Sequence, residues 1–155
     1  MVIKKAVACI EDTAVAIQDL SNYITKFTAL MKRYDQQAVY YAHAGAGELH
    51  LRPILNLKKA TDVNLFKAIT TEVAELVKSY NGSMSGEHGD GRLRTEFIEY
   101  MVGSECYNLF RTIKETFDPK NIFNKGKIID APPMESALRY VPERKAPQIN
   151  TLLNS

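Results

Sequence analysis

Residues 38–55 read Ala38-Val39-Tyr40-Tyr41-Ala42-His43-Ala44-Gly45-Ala46-Gly47-Glu48-Leu49-His50-Leu51-Arg52-Pro53-Ile54-Leu55, two apolar runs on either side of a small, glycine-bearing centre. Ala38–Ala42 and Leu49–Leu55 have the β-branched, aromatic and alternating character of strands. The short centre predicts that the two are neighbours joined at that point. Along one regular strand His43 and His50 would lie on opposite faces, because their spacing is odd. A bend at Gly45 and Gly47 would let them converge.

Working outward, Val2 to Ile10 reads as a strand, and Glu11-Asp12-Thr13 as acidic and capping groups for a helix through about Tyr34. Val15, Leu20, Ile24, Phe27, Leu30 and Met31 supply that helix with one apolar stripe. Asp62 to Tyr80 predicts a second amphipathic helix, with Val63, Phe66, Ile69, Val73, Leu76 and Val77 inward and Asn81-Gly82 as its stop. Ser83 to Ser85 is an edge strand or the entry to a second glycine run. Leu93–Met101 and Ser104–Phe117 predict two packed helices, broken at Gly103 and closed by Asp118-Pro119. From residue 131 to 155 the prolines 132, 133, 142 and 147 punctuate a polar stretch with no sustained period, as in an extended tail or linker after a domain of residues 1–130. This order predicts an α+β fold: an antiparallel sheet covered by helices, then a C-terminal helical segment and an extended tail.

The chain has 155 residues, 45% hydrophobic and 25% charged, enough for one globular domain with its own core. Its formal charge of +2 argues against nucleic acid as a partner. No apolar run approaches the roughly 20 residues of a membrane span, and the N-terminus has no signal-peptide profile. Cys9 and Cys106 belong to no CxxC pair, so the reading is a reduced, cytoplasmic chain.

All three histidines fall in two glycine runs, His43 to His50 and Ser85-Gly86-Glu87-His88-Gly89-Asp90-Gly91. Two imidazoles and a carboxylate, here His43, His50 and Glu87, are a common ligand set for a catalytic divalent metal, and zinc suits it best. Neighbouring side chains in an extended loop point apart, which leaves His88 free to act as a base. Structural histidines and a solvated Glu-His-Gly-Asp turn account for the same residues without chemistry. Arg52 and Arg92 flank the runs and suit a substrate carboxylate, or simply solvent. Glu48 reads as an exposed loop carboxylate.

Tyr41-Ala42-His43-Ala44-Gly45-Ala46-Gly47-Glu48-Leu49-His50-Leu51-Arg52-Pro53, then Ser85 to Gly91, then Phe117-Asp118-Pro119 with Asn124-Lys125-Gly126-Lys127, resembles the C-terminal part of FAD-linked oxidases of the vanillyl-alcohol-oxidase type. That group includes D-lactate dehydrogenase, the glycolate oxidase D subunit and D-2-hydroxyglutarate dehydrogenase. The resemblance covers roughly residues 1–130. It departs from the usual motifs at Ala46, Glu48 and Lys125, positions of loop geometry and flavin contact, outside the ligand set.

The resemblance implies a ferredoxin-like cap domain on the substrate side of FAD. It matches His43, His50 and Glu87 to metal ligands and His88 to the catalytic base; Arg52 and Arg92 are expected to bind substrate and Asn124 the cofactor. It implies oxidation of a D-2-hydroxy acid to a 2-oxo acid. No G-x-G-x-x-G phosphate cradle is visible, so FAD is expected on an N-terminal FAD-binding domain of the same polypeptide or a partner subunit, and this chain is expected to be inactive alone. Pro132 to Arg144 resembles the segment that leads to an iron–sulfur domain in fused members, and an electron acceptor would place the protein at the periphery of the membrane. The competing class is a free-standing metal- or anion-binding α+β module without catalysis.

Overall fold

The computed structural model describes residues 4–145. Strand β1 (Lys5–Ala6) and β2 (Ile10–Ala14) lead into helix α1 (Leu20–Arg33), followed by β3 (Ala38–His43) and β4 (Glu48–Leu55). Helices α2 (Ala60–Ser79), α3 (Ile98–Val102) and α4 (Ser104–Phe117) complete the described order, with short 3-10 turns between. The sheet is antiparallel throughout. Strand β4 is its centre, paired with β3 along one edge and with β1 and β2 along the other. The architecture is the expected α+β layer, an antiparallel sheet with helices against it.

The hairpin β3–β4 turns through Ala44–Ala46 and Gly47, whose φ of 72° lies in the left-handed region. A Cβ on Gly47 would stand 2.1 Å from the Val15 carbonyl oxygen, so only glycine fits there. The register pairs Tyr41 with His50 and His43 with Glu48. Reversal at the turn cancels the odd spacing, and both histidines share one face of the sheet.

That division of faces organises the molecule. Leu49, Leu51 and Leu55 of β4 and Ile10 of β2 are buried against Tyr23, Phe27, Leu30 and Met31 of α1 and Phe66, Ile69, Val73 and Val77 of α2. Each helix set follows the three-and-four spacing of a single stripe. Glu48, His50 and Arg52 alternate onto the other face, beside Tyr41 and His43. A smaller cluster of Ile98, Tyr107 and Ile129 joins α3 and α4.

Several elements differ from expectation. The strand expected over Val2–Ile10 is interrupted: Ala8 and Cys9 form a turn between β1 and β2, and its start at Val2 lies outside the described residues. Glu11, Asp12 and Thr13 stand inside β2, not at a helix cap, because antiparallel pairing with β4 claims Glu11 and Thr13, with Asp12 between them. The helix consequently starts at Leu20. Leu93–Met101 is divided into a 3-10 turn at Thr95–Phe97 and the short α3. Within the expected tail, Met134–Ala137 is a 3-10 turn and Met134 is fully buried in the main core, while Pro147 lies outside the described residues. Cys9 is buried and Cys106 half-buried, both as free thiols; burial pushes the Cys9 thiol up to about 11. No helix among the described residues is long and apolar enough to cross a membrane.

Candidate metal and proton-transfer site

Two segments meet on the polar face of the sheet. The hairpin brings His43 and His50, and the loop Ser85–Gly89 passes along the outer edge of β2 and brings Glu87 and His88. The loop starts where Ser83 and Ala14 exchange backbone hydrogen bonds of 2.8 and 2.9 Å. Glu87 Oε1 lies 3.6 Å from His43 Nε2, 3.8 Å from His50 Nε2 and 3.3 Å from His88 Nε2. The His43 and His50 rings meet edge to face at 5.2 Å, and His50 and His88 are stacked at 5.5 Å. Glu87 and His88 therefore converge despite being adjacent, because the loop is curled and both their amides turn inward.

The donor set fits one small divalent cation. Two bonds of about 2.1 Å cannot separate their ligand atoms by more than about 4.2 Å. Glu87 Oε1 meets that bound with His43 Nε2 and with His50 Nε2, and donor atoms of these three residues lie within 4.8 Å of one another, as do those of Glu11, His50 and His88 and those of Asp12, Glu87 and His88. His50 is buried, and its Nδ1 has no hydrogen-bond partner. A proton on Nδ1 faces Glu11 Oε1 at 4.0 Å and leaves the Nε2 lone pair directed at Glu87 and His43.

Carboxylates outside the expected set surround these groups. Glu11 receives two hydrogen bonds from the Arg52 guanidinium, the one from Nη2 measuring 2.7 Å, and this pairing holds its carboxyl below the ordinary value. Glu11 Oε1 also stands 3.7 Å from His88 Nδ1. Burial pushes the Asp12 carboxyl up, but the adjacent Glu48 carboxyl and the hydrogen bonds from the Glu87 and His88 amides and the Ser85 hydroxyl outweigh it, holding Asp12 well below the usual carboxylate range. The Glu48 carboxyl is raised, first by the Asp12 carboxylate beside it. Glu48 is buried as the first residue of β4, where it was expected as an exposed loop carboxylate. The loop passes close here: a Cβ on Gly86 would stand 3.2 Å from the Glu48 carboxyl carbon, which would have to give by a few tenths of an ångström.

The remaining expected residues are placed as follows. Arg52 lies beside the histidines, committed to Glu11 and 5.1 Å over the Tyr41 ring. Arg92 and Asn124 line a different cleft of about 440 Å³, together with Lys125 and Lys127. Arg94, unremarked in the sequence, is buried: it donates to the Glu11 carbonyl and, at 2.5 Å, to the Gly89 carbonyl. Glu11, Asp12 and Arg94 have no local motif that marks them.

Residues 2–128 match the family described as FAD linked oxidases, C-terminal domain. The chain is 42% identical over 124 residues to a D-2-hydroxyglutarate dehydrogenase of Haemophilus influenzae, covering 80% of this chain and 12% of that protein. It is 31% identical over 127 residues to a D-lactate dehydrogenase of Archaeoglobus fulgidus, covering 82% and 28%. With the glycolate oxidase subunit GlcD of Bacillus subtilis the identity is 26% over 124 residues, covering 80% and 26%. The chain thus spans between about an eighth and just over a quarter of the length of these relatives. With the match running through both histidine loops and every strand and helix that positions them, the chain belongs to the FAD-linked oxidases, as their C-terminal domain.

Proposed function

We propose that this chain is the substrate- and metal-binding part of an FAD-dependent dehydrogenase that oxidises a D-2-hydroxy acid, of the D-lactate, glycolate or D-2-hydroxyglutarate type, to the 2-oxo acid. The observation that carries this reading is the convergence of His43, His50 and Glu87 on one point with His88 beside them. His43, His50 and Glu87 hold a divalent cation, zinc by its donor set. When bound, the cation supplies a Lewis acid for the hydroxy-acid oxygens and FAD supplies the hydride acceptor. His88 accepts the hydroxyl proton as C2 gives up its hydride.

The Glu11 carboxylate stands 3.7 Å from His88 Nδ1, on the ring nitrogen away from Glu87. Arg52, braced by Glu11, presents its outer N–H groups to the substrate carboxylate. Arg92 and Asn124 serve anionic groups of the substrate and the flavin from their cleft. The flavin itself resides on an N-terminal FAD-binding domain of the same polypeptide or a partner subunit, and residues 131–155 connect the domain of residues 1–130 towards an iron–sulfur domain. A reduced cytoplasmic setting suits the two free thiols.

The test is carried out in the assembled flavoenzyme, with reduction of an artificial acceptor by D-lactate, glycolate and D-2-hydroxyglutarate as the readout. Chelation is expected to stop turnover and zinc to restore it. His88→Ala should lower turnover by about 100-fold or more with metal content retained. His43→Ala should lose metal and turnover together. Equal metal loss in the two variants would remove the division of roles, and failure of every D-2-hydroxy acid to reduce the acceptor would remove the activity.

A further inference from the structure

Asp12 makes contact with each of four consecutive residues of the loop that carries Glu87 and His88. Its Oδ1 accepts the Glu87 amide at 2.8 Å, and its Oδ2 accepts the His88 amide at 2.9 Å and the Ser85 hydroxyl at 2.8 Å. Its backbone oxygen accepts the Gly86 amide at 2.7 Å. Its place in β2 makes this possible. The pairing of β2 with β4 shifts by one residue between Glu11 and Thr13, so Asp12 is the extra residue of a bulge, and its φ is 81°. A non-glycine residue persists in that conformation only where its surroundings over-determine it. Here the side chain is fully buried, with Arg94 Nη2 3.7 Å from Oδ2.

Apart from Asp12, the start of the loop is tied to Ser83, whose hydroxyl donates to the Ser85 carbonyl at 2.7 Å and accepts the Ser85 amide at 3.1 Å. The Glu87 and His88 side chains are each close to half exposed, and Gly89, at φ 76°, has nothing within 4 Å of where a Cβ would be. Its geometry rests on polar contacts: the Asp12 set at one end and the Arg94 bond to the Gly89 carbonyl at the other.

We infer that Asp12 is a positioning residue, which clamps the backbone of residues 85–88 so that Glu87 and His88 face His43 and His50 at fixed distances. A carboxylate oxygen of Asp12 lies within 4.8 Å of donor atoms of Glu87 and His88, but both its oxygens are taken up by the loop's own donors, and it acts through the two residues whose amides it receives. The inference rests on the function proposed above for those residues, but its direct readout does not depend on that function.

Two substitutions separate the clamp from the bulge. Asp12→Gly keeps a backbone suited to positive φ and removes the carboxylate. Asp12→Asn keeps one acceptor oxygen and turns an amide group towards the remaining donors. In the 155-residue chain, hydrogen exchange at the Glu87 and His88 amides is expected to be slow in the parent, at least tenfold faster in D12G and intermediate in D12N. Zinc affinity, measured by calorimetry, should fall about 10- to 100-fold in D12G with partial recovery in D12N. Leu51→Ala, a core change on the opposite face of the sheet, should lower the melting temperature and leave zinc affinity unaltered. Rapid exchange at both amides in the parent would overturn the clamp. Parent-like zinc affinity in D12G, or an equal loss in L51A, would overturn the positioning role. A parent chain that takes no zinc would defeat the proposed metal site, while amide exchange would still decide the clamp.

Discussion

Glycine shows how differently one residue type is used in the two site loops. Gly45 and Gly47 sit two positions apart at the hairpin tip, yet only Gly47 combines a positive φ with backbone in the space a Cβ would fill. Gly47→Ala is expected to destabilise the chain by about 2 kcal/mol or more, since the residue must leave either its conformation or its place against Val15. Gly45→Ala has open space and should stay within about 0.5 kcal/mol. Urea unfolding of both variants checks this, and equal midpoints would show that the hairpin tip is not constrained by Val15. The two histidines make a similar point. His43 is largely exposed and His50 is nearly all buried, so only His50 is both packed and oriented by its surroundings. Tyr41 stacks on its ring at 4.6 Å.

At the scale of the element, helix α4 is closed by a polar device that its amphipathic pattern does not reveal. The Asp118 carboxylate accepts hydrogen bonds from Lys114 Nζ at 2.6 Å and from the Ile122 and Phe123 amides at 2.9 Å each. Burial pushes the Asp118 carboxyl up, but these donors outweigh it and the group sits below its ordinary value. A depressed folded-state pKa contributes stability that is complete above the unfolded aspartate value, about 3.9, and is lost as pH falls through the folded value. The turn over residues 118–123 should therefore hold at neutral pH and loosen in acid below about pH 4. Asp118→Asn is expected to loosen it at pH 7, with faster amide exchange at Ile122 and Phe123 as the signal. Parent-like exchange in that variant would show that the carboxylate does not hold the turn. Strand β2 carries the corresponding lesson for sheets: one extra residue in its pairing sends two adjacent carboxylates, Glu11 and Asp12, towards the same site.

In the molecule as a whole, residues 131–145 are part of the packed structure. Met134 is fully buried, its amide donates to Glu96 at 2.6 Å, and Glu135 pairs with Lys67 at 2.7 Å. Further on, the Glu143 amide bonds to the Lys58 carbonyl at 2.8 Å. Met134→Ala should cost about 2–5 kcal/mol. In a domain of this size that is a drop of roughly 4–20 °C in melting temperature, and removal of residues 131–155 should cost at least as much. An unchanged melting temperature in the truncated chain would show that this stretch contributes nothing to the core. Much of this protein could be read directly from its residues: the hairpin about Gly45 and Gly47, the inward stripes of α1 and α2, and the two loops that hold every histidine. Those features are periodic or local, and side-chain period and turn chemistry act over a few residues. Glu11, Asp12, Glu48 and Arg94 were not legible as a group. Their roles arise from hydrogen bonds between β2 and a loop more than 70 residues away, from a bulge defined only by pairing with β4, and from burial against that loop. Which side chains were available for chemistry follows from the residues alone; which of them meet follows from packing, because carboxylates and amides distant in the chain acquire partners only when the sheet and the loop come together.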